Sequence, residues 1–207
     1  MKSSGDVSLS DRILVQKTIT NNLRIMLLIL GLVHSLNVFA AYAIQPNEVM
    51  LLPPSCFRLS STNFEPDAYK IVKTKRKGPA LGPHMQHFCH GMKSLIRADR
   101  NFGTKAESDS LWTAISEFDY VLSHTPKNNG RYNNYLAITC VEKAKALRRL
   151  KMTSESLKVY QQAIKYNPKL TKAYAGISDL YKTLDMNDEA REILEQGLKR
   201  VPKSKSL

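Results

Sequence analysis

Acidic residues are scarce in this sequence. Eighteen Asp and Glu stand against 31 Lys and Arg, giving a formal net charge of +13 at neutral pH. A surface of that sign attracts anionic partners, whether acidic proteins, lipid headgroups or polyanions. Cysteine is scarcer still. Three among 207 residues cannot build a disulfide scaffold, and no two stand as Cys-x-x-Cys, so the common zinc-ribbon and redox motifs are excluded. Glycine is thinly spread, and neither Gly-x-x-x-x-Gly-Lys nor Gly-x-Ser-x-Gly occurs. The chain therefore has no phosphate-cradling loop and no nucleophile elbow. It also lacks a paired-carboxylate arrangement and any cofactor motif. These absences argue for a non-catalytic protein, with an enzyme as the lesser alternative.

Only one long hydrophobic run is present, Ile25 to Ala43, and it follows Lys17 and Arg24 in a segment with no acid after Asp11. A basic flank, a short apolar run and the small residues Ala41 and Ala43 predict an export signal cleaved before Ile44. The same 25–43 run is just long enough to remain as a membrane anchor, and a buried core helix is the third reading. Either exported reading places the rest of the chain outside the cytoplasm, in a periplasm-like compartment, and disfavours nucleic acid as a partner.

The region from Ala137 to Ser204 carries two copies of one pattern. Pro168 and Pro202 are 34 residues apart, and the positions before them overlay without a gap. Tyr174, Ile177, Ser178, Tyr181, Ala190, Leu194 and Gly197 take the places of Cys140, Lys143, Ala144, Leu147, Ser156, Tyr160 and Ala163. Apolar residues recur at three and four positions in four successive stripes, as helices with one buried face require. The prolines end the helices before them, and Asn187 is placed to cap the last one. Small residues at Ala144, Ser156, Ala163, Ser178, Ala190 and Gly197 mark where paired helices approach closely. A period of this length and composition resembles the tetratricopeptide repeat family. The resemblance implies an all-α fold, a short stack of helix hairpins that holds another protein or peptide. Lys143 departs from the apolar residue the family prefers at its position.

Residues 84–136 resemble a degenerate first hairpin. Leu111, Ala114, Ile115, Phe118, Val121 and Leu122 make one amphipathic helix ending before Pro126, with Ser108 as its expected cap, and the Asn-rich stretch 127–134 forms a loop. Two clear repeats and one degenerate repeat follow an irregular, proline-rich lead-in over 44–83. That lead-in holds a basic cluster, Lys70, Lys73, Lys75, Arg76 and Lys77, which either binds an anionic membrane or cell-wall polymer or is a solvated loop. The segment around His87 to Met92 is similar to small exported repeat proteins of Gram-negative bacteria.

His84, His87, Cys89 and His90 are the only dense set of metal-type ligands. Successive helical residues turn by about 100°, which spreads these side chains and predicts a structural role; a metal-dependent enzyme is the alternative. Cys89 has a better partner in Cys56 in an oxidising compartment. A bridge between them would tie the lead-in to the first helix and contribute on the order of 3 kcal/mol, unless both remain free thiols. Cys140 is expected in the core.

In the tetratricopeptide family the first helix of each hairpin lines the concave side. The resemblance carries that role to Ile138, Val141, Lys145, Arg148 and Arg149 in one repeat and to Lys172, Asp179 and Lys182 in the next. Five cations against one acid imply a basic groove for an acidic protein or peptide, with Ile138 and Val141 adding apolar contact. A solvated basic face is the alternative.

Overall fold

The computed structural model of the protein describes residues 20–26, 42–128, 130–204 and 207. The chain divides into two units, Met1–Ala43 and Ile44–Leu207. In the first, residues 20–26 are helical and exposed. Most of the run expected to direct export or to anchor the protein, residues 27–41, lies outside the described residues. Among those described, no helix is long and apolar enough to cross a membrane.

The second unit is a stack of helix hairpins behind a short N-terminal assembly. Its helices are α1 (Pro46–Val49), α2 (Pro66–Lys73), α3 (Met85–Arg100), α4 (Lys105–His124), α5 (Asn133–Arg149), α6 (Thr153–Tyr166), α7 (Thr171–Thr183) and α8 (Asn187–Arg200). The pairs α3/α4, α5/α6 and α7/α8 form three hairpins. Each second helix packs on the next hairpin, while α3 touches α5 and α5 touches α7, which aligns the first helices along one side. All six small residues expected at close approaches are buried, and the Ser156 hydroxyl donates to the Ala144 carbonyl at 2.7 Å. Gly176 lies so close to the buried Tyr160 ring that a Cβ could not be accommodated without displacing it. A glycine there lets α6 and α7 meet.

The two clear repeats also share their internal turn. Lys151 and Asp185, one period apart, both adopt left-handed backbone, with φ of 60° and 59°. In each, the residue that follows returns a hydrogen bond to the preceding helix: Met152 to the Leu147 carbonyl and Met186 to the Tyr181 carbonyl, both at 3.0 Å. This 6→1 closure satisfies carbonyls that a helix end otherwise leaves free.

Two expected caps are not used. Helix α4 starts before Ser108, because the preceding turn closes on itself: Thr104 Oγ1 donates to the Asn101 carbonyl at 2.7 Å, and Glu107 accepts from the Gly103 amide at 2.7 Å. Asn187 is the first residue inside α8, and Met186 stands at the cap position. The turn at Asp185 already sets the entry to that helix.

The lead-in has no element longer than eight residues, yet it is folded into the core. Ile44 pairs with Phe64 in an isolated parallel bridge, two 3₁₀ turns follow α1, and Ile44, Val49, Leu52, Cys56, Phe57, Phe64, Ala68 and Val72 are all buried. They form one cluster with Phe88 and Ile96 of α3, Ala114, Phe118 and Val121 of α4, and Tyr135 of α5. A stack end left open would expose apolar surface; here the lead-in covers the first hairpin. Two cross-links hold it. Cys56 and Cys89 form a disulfide with their Cα atoms 5.6 Å apart. Glu48, 1% exposed, accepts from Arg97 Nε at 2.6 Å and Arg97 Nη2 at 3.1 Å.

Candidate functional site

A cleft of about 410 Å³ opens on the side where the first helices align. Helix α3 presents Met92, Leu95, Ile96 and Asp99, spaced three and four apart and therefore on one face. Helix α5 presents Glu142, Lys145, Arg148 and Arg149, and Leu51 of the lead-in forms the remaining edge. The α3 floor is apolar. Leu51 at its lip is 59% exposed, an uncovered apolar side chain beside an apolar floor.

The α5 wall is charged, but its cations have partners. Lys145 Nζ reaches both Glu142 oxygens, at 2.9 and 3.0 Å. Arg148 Nη1 donates to Asp179 at 3.1 Å, joining α5 to α7. Arg149 pairs with Asp99 of α3 and, at 2.6 Å, with Glu107 of α4. The Gly103 amide and the Arg149 guanidinium hold the Glu107 carboxyl below the usual range. Lys172 and Lys182 are exposed and have no acidic partner among the described residues. The groove is thus less positive than its cation count implies, because Asp99 and Glu142 enter it from positions the repeat pattern does not assign to it and Glu107 pairs with Arg149 from α4. Val141 is 1% exposed and packs in the core; Ile138 is half-buried against the lead-in cluster. Neither lines the cleft.

The exposed Arg148–Asp179 pair contributes about 0–1 kcal/mol, while Glu142 and Glu107 are more enclosed. These pairs hold the guanidinium and ammonium groups in place, and Arg148 keeps donors beyond the one it gives to Asp179. A carboxylate entering the cleft would meet oriented donors beside an apolar floor.

The histidines do not converge. Cys89 is in the disulfide, and His90 is 1% exposed, placed between Asn63 at 3.0 Å and Lys93 Nζ at 3.1 Å. His87 bonds to Glu117 at 2.7 Å and stacks on Tyr120, which also stacks with His124. His84, at a φ of 56°, meets Tyr120 and His124 edge-on. Among the described residues, no three metal-type ligands are grouped to hold an ion.

Burial next to cationic Lys93 pushes His90 down to about 3 and, chiefly through desolvation, Lys93 down to about 8. Neutral His90 suits the geometry: Nδ1 accepts from Lys93 while Nε2–H donates to Asn63. A histidine with a depressed folded-state pKa binds fewer protons folded than unfolded, so its contribution is full above the unfolded value of about 6.5 and is lost as pH falls toward 3. Stability should fall by about 2 kcal/mol between pH 6.5 and 5. Chemical denaturation at those two values checks this; an His90→Asn variant with the same slope would refute the assignment.

Comparison with known families matches residues 137–170 and 171–203 to the tetratricopeptide repeat model. Neither a curated relative nor a solved structure matches the chain. The matched segments are the α5/α6 and α7/α8 hairpins with their connections, in the stacked arrangement described above. Residues 137–203 of the chain are thus two consecutive segments of the tetratricopeptide repeat.

Proposed function

We propose that the protein is a non-catalytic scaffold that holds a segment of another protein in the cleft between α3 and α5, continuing along α7. The observation that carries this reading is the pairing of an uncovered apolar floor, Leu51, Met92 and Leu95, with oriented cations on the facing wall. The segment that fits has an apolar side chain for the floor and a carboxylate within reach of Lys145, Arg148 and Lys172. We place the protein outside the cytoplasm, either released from its leader or anchored by residues 25–43. The apolar run and the bridged cysteine pair support that placement.

Affinity capture from the native compartment supplies the partner for the test. A Lys145→Glu, Lys172→Glu double variant should bind it about 10-fold or more weakly through lost charge-assisted contacts, with helicity retained and melting nearly unchanged. A photo-cross-linking residue at Leu51 should label the partner, while one at exposed Trp112, outside the cleft, should not. Undiminished binding together with labelling from Trp112 would remove the cleft from the account.

A further inference from the structure

From the last residue of α2 toward α3 the chain passes through Lys73, Lys75, Arg76 and Lys77, four cations in five residues. Around the cleft, cations are matched with acids; here they are not. Lys70 takes the nearby Asp67 at 2.8 Å, and Lys73 lies over the Tyr69 ring, 5.6 Å from its centre. Lys75, Arg76 and Lys77 have no acidic partner among the described residues.

This concentration of charge sits on a pinned loop. Thr74 Oγ1 donates to the Ile71 carbonyl at 2.8 Å, closing the end of α2. The Gly78 amide donates to the Pro54 carbonyl at 2.8 Å, and Arg58 Nε donates to the Gly78 carbonyl at 2.6 Å, adding a fifth cation. A Cβ at Gly78 would stand 2.6 Å from the Ser55 nitrogen, so glycine is required for this approach. The turn that receives the loop contains Cys56, bridged to α3. Repulsion among neighbouring cations would spread a free loop, yet this one is held in a fixed shape.

We propose that the loop is a docking surface for an anionic phospholipid bilayer. Three of its four cations are lysines, point charges on long stems that suit a mobile array of headgroups better than a fixed bidentate site. Tyr69 lies under Lys73, and Phe57 of the receiving turn is buried, so neither offers a platform for stacking nucleic-acid bases. The helix leading to the loop starts beside a buried anchor. Ile44 is fully buried and bonded to Asn63 and Glu65 at 2.9 Å. Helix α2 begins at Pro66 and spans about 12 Å to the loop.

Each cation near an anionic surface raises partitioning about fivefold, so removing three lowers it about 100-fold. The test uses the full chain with vesicles of equal parts phosphatidylglycerol and phosphatidylcholine, and with phosphatidylcholine vesicles as reference. Their ratio cancels any contribution of the apolar run. It should be large for the native protein, fall about 100-fold in a Lys75→Ala, Arg76→Ala, Lys77→Ala variant, and stay near native in a Lys158→Ala, Lys165→Ala, Lys169→Ala control of equal charge. All six side chains are outside the core, and unchanged melting shows that the loss is not unfolding. A native ratio near one, or equal losses in both variants, overturns the proposal. Loop-dependent binding to duplex DNA without vesicle preference overturns it in favour of a polynucleotide.

Discussion

Replacing Glu48 with alanine is expected to destabilise the protein by about 3–5 kcal/mol, the range for removing one partner of a buried ion pair. The carboxylate is 1% exposed and accepts from both the Arg97 side chain and the Gln45 amide, the latter at 2.8 Å. Arg100 Nη1 stands 3.8 Å from the same oxygen that Arg97 Nε reaches. Without Glu48, the Arg97 guanidinium and the Gln45 amide lose their common acceptor, and Arg100 loses a nearby opposite charge. Arg97 retains some access to water, which favours the lower part of the range. Urea denaturation of Glu48→Ala, Arg97→Ala and the double variant measures the loss and the coupling; the double should lose less than the sum of the singles. A loss below about 1 kcal/mol for Glu48→Ala would mean that the lead-in is not locked to α3 by this pair.

Removing the Cys56–Cys89 bridge should have the second largest effect. It closes a sequence separation of 33 residues, for which chain entropy predicts about 3 kcal/mol. For a folded unit of this size that is a fall in melting temperature of about 6–12 °C. A Cys56→Ala, Cys89→Ala variant compared with the oxidised protein by calorimetry checks the figure. Protein taken from its own compartment should show the pair linked by non-reducing peptide mapping. Cys140, fully buried with its thiol pushed up to about 12 by desolvation, should react with alkylating agents only after unfolding. Free thiols at 56 and 89 in such protein would count against both the bridge and export.

The stack was legible in the sequence because its signals are local. A proline at the same place in each period, small residues at close approaches and three-and-four spacing of apolar residues are each set within one or two turns of helix. The cleft was only partly legible. Lys145, Arg148 and Arg149 could be placed on the inner helix, but Arg148 is neutralised by a residue 31 positions away and Arg149 by one 50 positions away. Such pairings depend on how hairpins lie side by side, which periodicity does not encode. The contribution of α3 was hidden for another reason. Met92, Leu95 and Ile96 read as an ordinary apolar face, and what leaves part of it open is the position of Leu51 in a segment without any period.

The lead-in also sets an order of assembly. The contacts of each C-terminal hairpin close over a few tens of residues, so loop-closure entropy is small and these hairpins can form as local units. The N-terminal cluster joins Ile44 to Tyr135 and needs α3, α4 and the start of α5 before Val49, Leu52 or Phe64 has anything to pack against. A chain emerging from its N-terminus therefore presents its most demanding segment first and completes it late. Until Cys89 follows Cys56 into the same space, the lead-in is the part exposed to proteases and to mispairing. In kinetic terms, the bridge is the step that ends that interval.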